Sequence, residues 1–162
     1  MDAMTTRDEL IDGLRAVTRT AQRVTSGFSA EDWNVQAHGE ENGWNRKQVF
    51  SHLTAAAEIT PGFAGGLASA GPGTDALAGL DINAFNAQQV AAKSALDSQA
   101  LMKAFQSAYD GVIKFAQEAP EETLQHEARF GTLEAPVIDI IDTVLVMHAM
   151  AHIYYGGGSP LG

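Results

Sequence analysis

The chain has no cysteine. That absence excludes disulfides, thiolate zinc sites and a cysteine nucleophile, and it leaves a reducing compartment acceptable. Any metal must then be held by imidazole, carboxylate or water, a ligand set that suits zinc, nickel or iron(II) better than copper(I). Positive charge is also scarce: 10 Lys and Arg stand against 20 Asp and Glu, for a formal net charge of −10. The basic residues are scattered, which argues against nucleic acid, because neutralising phosphates needs clustered Lys and Arg. An anionic membrane surface is disfavoured for the same reason. Long apolar runs are missing too. The longest apolar region, 137–155, is interrupted by Asp139, Asp142 and two histidines, short of the roughly 20 apolar residues of a transmembrane helix. The opening MDAMTTRDELIDGL is acidic and amphipathic, without the basic start and apolar run of a secretory signal. The expected location is cytoplasmic.

Familiar catalytic signatures are absent as well. There is no Glu-x-x-His pair of the di-iron carboxylate bundles, no HExxH, and no GxSxG, P-loop or GxGxxG motif. What remains is a chain of 162 residues, 45% hydrophobic, long enough for a core without staples and expected to form one domain over residues 1–162.

Its periodicity is helical almost throughout. A first helix is expected from about Thr6 to Gly27, capped by Thr5 or Thr6, with Asp8 and Glu9 suiting the helix dipole. Leu10, Leu14, Val17, Ala21, Val24 and Phe28 form its buried stripe. SAEDWNVQAHGEENG is polar and turn-rich, a connection. A second helix starts near Trp44 or Asn45 and runs to about Thr60, where Pro61-Gly62 marks a break or kink. The Gly- and Ala-rich stretch from Gly62 to Leu80 is long for a connection and is expected at the edge of a site. A third helix spans roughly Asn83 to Ala95. Asp97 or Ser98 opens a fourth, with the stripe Leu101, Phe105, Ala108, Val112, Phe115 and Ala119, ended by Pro120. HEARFGTLEA is irregular with one extended piece. Pro136 begins a fifth helix, terminated by Gly156 to Gly158 and Pro160. The expected fold is all-α: an antiparallel four-helix bundle with a short additional helix.

The chemistry-bearing residues are histidines. His148 and His152 in HAMAHIYYGG are one helical turn apart and project from one face. The inward stripe of the fifth helix is expected to be Val137, Ile141, Val144, Leu145, His148, His152 and Tyr155. Two histidines in succession there would each need a buried partner, or could share a metal. His52 lies at the margin of the second helix's apolar face and can reach a neighbouring helix. Three neutral imidazoles with open positions make a catalytic-type metal site. His38 and His126 fall in polar connections as exposed bystanders. Trp44, two turns before His52, Asn86 at the start of the third helix, and Tyr155, three residues after His152, are the expected pocket wall. Asp142 and Glu58 are the available acids, read as solvent-facing rather than as general bases.

The run NGWNRKQVFSHLTAAAE resembles an element of the DinB-like superfamily, in which a Trp, a few residues and a His occupy the second helix. HAMAHIYYGG resembles the same superfamily's terminal His-x-x-x-His, and DINAFNAQQVAAK its middle section. The resemblance covers nearly the whole chain. It implies a four-helix bundle in which three histidines, here His52, His148 and His152, bind a divalent metal, usually zinc or nickel. Members include thiol-dependent transferases or isomerases using low-molecular-weight thiols, and the mycothiol-dependent maleylpyruvate isomerases share the fold. After the second histidine of the final pair the superfamily often has Gly-Gln, whereas this chain has Ile153-Tyr154-Tyr155-Gly156. The function expected is that of a metal-dependent thiol S-transferase or hydrolase acting on a small molecule. The alternative is a bundle that binds metal or ligand without turnover. The expected partners are a small-molecule substrate and, at most, a second copy of the chain.

Overall fold

The computed structural model describes residues 2–37, 43–69, 75 and 79–156, with side chains through 154. Helix α1 (Arg7–Thr25) begins with a reciprocal cap. The Thr6 hydroxyl accepts from the Glu9 amide, and the Glu9 carboxylate accepts from the Thr6 amide, so two otherwise orphaned donors are satisfied together. A single 3-10 turn (Asp32–Asn34) follows. Helix α2 (Arg46–Ser69) opens with the same device: Asn45 Oδ1 accepts from the Gln48 amide and Gln48 Oε1 accepts from the Asn45 amide.

The break expected at Pro61 does not occur. Proline removes one hydrogen bond to the carbonyl four residues back, yet α2 continues through Ser69. Ala64 and Leu67 are buried in the core, and that tertiary burial outweighs the local cost. The first half of the expected 62–80 loop is therefore helix, while residues 70–74 and 76–78 lie outside the described set.

Helices α3 (Ile82–Ser94) and α4 (Ser98–Glu118) are capped by Asp81 and Asp97, whose carboxylates accept from Ala84 and Ala100 amides. A short α5 (Glu121–Gln125) leads into an antiparallel hairpin, β1 (Glu127–Phe130) and β2 (Leu133–Pro136). Sequence reading gave one extended piece here. The second strand forms because Gly131, at φ 63°, supplies the left-handed residue that a two-residue turn needs.

The last helix, α6, covers residues 137–156 and is not uniform. α-Helical Val137–Ile141 and His148–Ala151 alternate with π-helical Asp142–Met147 and His152–Gly156. A π turn takes one more residue per turn than an α turn, so residues beyond it rotate relative to a 3.6-residue pattern. The fully buried line becomes Ile141, Leu145, Ala149 and Ile153. The histidines, expected on the inward stripe, stand one step round from it: His148 is exposed and His152 half-buried.

α1, α2, α4 and α6 pack together as the helical bundle, with α3 packed on α2. An aromatic chain threads its interior: Phe28, Trp33, Phe50, Phe105 and Tyr109 follow one another at ring separations of 4.7–5.8 Å, within the favourable range for such pairs. The chain ends where the buried Tyr109 hydroxyl donates to the Leu145 carbonyl at 2.9 Å, inside the first π segment. α6 is long and apolar enough by composition to cross a membrane; Val137, Ile138, Ile141, Leu145, Ala149 and Ile153 are buried in the bundle core, while Met147 and Tyr154 are exposed.

Candidate metal centre

His52 is set by α2, one turn beyond the Asn45–Gln48 cap. His148 opens the α-helical turn that separates the two π segments of α6, and His152 follows that turn as the first residue of the second π segment. That turn keeps the i, i+4 stacking of a regular helix. It leaves the two Nε2 atoms 2.9 Å apart. The ring of His52 approaches from α2, with centroids 5.8 Å from His148 and 5.4 Å from His152. One ligand nitrogen from each of the three lies within 4.8 Å of the others.

The donor set fits a metal. Imidazole nitrogens bind zinc at about 2.0–2.1 Å, so two nitrogens 2.9 Å apart both reach a common ion. Bringing in the third, within 4.8 Å of the others, requires a side-chain adjustment of up to about 1.5 Å to reach the roughly 3.3 Å nitrogen separation of a tetrahedral site at that bond length. Electrostatics favour the same use. Burial, followed by the neighbouring His152 and His148, pushes the His52 pKa down to about 4. Its imidazole is therefore neutral at pH 7 and its lone pair is free for a ligand.

Trp44 lies against this group, its ring centroid 5.0 Å from that of His52 at an interplanar angle of 45°. On the other side the histidines border a cavity of about 410 Å³ that reaches His52 and His148. Ile59 and Phe63 of α2, Phe85 of α3, Phe130 and Leu133 of the hairpin, and Val144 of α6 wall it. Asn86 lines it as well, so the structure brings Asn86 to the same space as two of the histidines. Trp44 stands beside His52 outside that lining. The side chain of Tyr155 lies outside the described residues, as does His38. His126 is half-buried at the end of α5, where its carbonyl accepts from the Val137 amide, away from the cluster.

Neither candidate acid lines the cavity. Glu58 is exposed and paired with Lys93 at 2.6 Å. Asp142, expected to face solvent, is half-buried. Burial first, then Asp139 and Glu9, raises its carboxyl pKa.

Residues 14–152 match the family described as the mycothiol maleylpyruvate isomerase N-terminal domain. The chain belongs to that family. Two solved structures share the fold of this isomerase-domain member. The crystal structure of the mycothiol-dependent maleylpyruvate isomerase is 16% identical with a TM-score of 0.76, covering 95% of this chain and 62% of that one. A histidine-to-alanine mutant of the mycothiol-dependent maleylpyruvate isomerase is 18% identical with a TM-score of 0.70, covering 90% and 60%. The chain thus spans about three fifths of the length of those structures. No curated protein matches it. The isomerase-domain family agrees with the DinB-like resemblance of the three quoted motifs and with the helical bundle they implied. What sequence reasoning missed in this family member is the hairpin wall, Phe130 and Leu133. The signal was the pair Gly131-Thr132 between the apolar Phe130 and Leu133, in a segment read as irregular.

Proposed function

We propose that this chain holds one divalent metal, zinc or nickel, on His52, His148 and His152, and serves thiol chemistry on a small molecule. The convergence of three imidazoles at the end of an apolar cavity carries the reading. When bound, such a metal supplies a lowered pKa for a thiol or water and polarises a substrate oxygen. The chain has no cysteine, so the thiol comes from outside. The isomerases it resembles are named as mycothiol-dependent, and a low-molecular-weight thiol of that kind is the proposed co-substrate.

The chain's own residues hold, orient and exclude. Trp44 packs on His52 and limits the rotation of that ring. Asn86 offers a side-chain amide to a substrate head group in the cavity. Tyr155 keeps a proposed place near the site from its position three residues beyond His152. The apolar walls keep water from the reacting group, which strengthens each electrostatic contact inside. With Glu58 and Asp142 away from the cavity lining, proton transfer there falls to solvent.

The test is turnover by the full chain reconstituted with zinc or nickel, assayed against mycothiol and other low-molecular-weight thiols with small electrophilic acceptors and esters. The expected result is thiol-dependent conversion that chelation abolishes and His52→Ala lacks. Metal retained at one per chain with no thiol consumed and no ester cleaved would favour the non-catalytic alternative.

A further inference from the structure

We propose that the cavity beside the histidines binds an apolar small molecule, an alkyl, acyl or aryl body with a single oxygen or sulfur head directed toward His52 and His148. The head's placement rests on the metal reading above; the body's rests on the cavity alone. At about 410 Å³ the space lies in the range of ligand pockets, roughly 300–1,000 Å³.

Its lining decides the class. Among the described residues no Lys, Arg, Asp or Glu lines the cavity. The polar side chains other than histidine are Thr60, Asn86 and Thr143. The Thr60 hydroxyl is already committed, donating to the Ala56 carbonyl at 2.7 Å, so Thr60 adds little polarity to the wall. A ligand with a second charge would set it against Phe63, Phe85 or Phe130 with no counter-charge, and a buried charge without a partner is strongly unfavourable. An apolar body meets no such cost. It exchanges water for aromatic and aliphatic contact along the whole length of the space.

The walls come from four separate elements, α2, α3, the hairpin and α6. Their convergence on one apolar space next to the histidines is the same arrangement that makes a head group and a body separable.

The experiment separates body from head. The chelator-treated full chain is titrated calorimetrically with the 1-alkanols from butanol to octanol, and with succinate as a dianionic comparator. Burial of each methylene strengthens binding roughly fourfold, so 1-octanol should bind about two-hundredfold more tightly than 1-butanol. Succinate should show no binding. Two variants act on different walls: Ala56→Leu fills space one turn from His52, and Phe85→Lys places a charge on the half-buried α3 wall. Each should weaken 1-octanol by about tenfold or more with the helical circular dichroism unchanged. An affinity flat along the alkanol series, or both folded variants binding 1-octanol as the parent does, would overturn the proposal. Zinc uptake is measured on the same preparation. Zinc bound without a chain-length gain refutes the cavity proposal and leaves the metal reading standing. A chain-length gain without zinc uptake does the reverse.

Discussion

Acidification of the metal-free protein tests the environment assigned to His52. The folded chain holds this imidazole at a pKa of about 4, chiefly by burial, against about 6.5 for an unfolded histidine. Above pH 6.5 the ring is neutral in both states and contributes no pH dependence. Between about pH 6.5 and pH 4 the unfolded chain takes up a proton that the folded chain refuses, so stability falls as pH falls. Each pH unit in that window removes up to about 1.4 kcal/mol, and the whole window about 3 kcal/mol. Below pH 4 both states are protonated and this contribution stops changing. The assay is urea unfolding of chelator-treated protein at half-unit steps from pH 7.5 to 4, for the parent and for His52→Gln. Because the variant lacks the titrating ring, the parent's advantage should shrink by about 3 kcal/mol across the window. Parallel stability curves for the two proteins would show that His52 is not shielded from water and would refute the reasoning.

Other consequences are equally direct. Tyr109→Phe deletes a buried hydrogen bond to the Leu145 carbonyl, and unfolding should show a loss of about 1–2 kcal/mol; an unchanged urea midpoint would mean that the carbonyl needs no such donor. At Gly13 a Cβ would stand 3.0 Å from Val146 Cγ1, so Gly13→Leu overpacks the α1–α6 contact and should cost about 1–3 kcal/mol, read from the same midpoint; a neutral effect would contradict that close approach. Trp44 lies 5.0 Å from the His52 ring while Trp33 is buried among phenylalanines. Nickel titration should therefore quench tryptophan emission in the parent and much less in Trp44→Phe, and equal quenching in both would place the ion elsewhere.

The bundle was legible because α1 and α4 keep a 3.6-residue stripe. Leu10, Leu14, Val17 and Ala21 on α1, and Leu101, Phe105, Ala108 and Val112 on α4, are all buried as their spacing required. The caps were legible at Thr6 and Asp97 because cap chemistry is local. Pro61 misled because its cost is local, while the burial of Ala64 and Leu67 that overrides it is tertiary. The π segments of α6 misled in another way. A constant helical period put His148 and His152 in line with the core, but the extra residue per π turn gives that line to Ala149 and Ile153. The grouping of the histidines survived because the α-helical turn His148–Ala151 spans the step from His148 to His152, which opens the second π segment. Phe130 and Leu133 were not legible, since a four-residue strand pair carries almost no periodic signal and depends on Gly131 alone.

The central claim is that three imidazoles from α2 and α6 converge on one divalent ion. The measurement is X-ray absorption at the metal edge on protein loaded with one equivalent of zinc or nickel, with elemental analysis after gel filtration. The account predicts one ion per chain, about three imidazole nitrogens at about 2.0–2.1 Å, and loss of the ion in His52→Ala, His148→Ala and His152→Ala alike. An ion lacking imidazole scattering, or full metal content retained by all three variants, would contradict it.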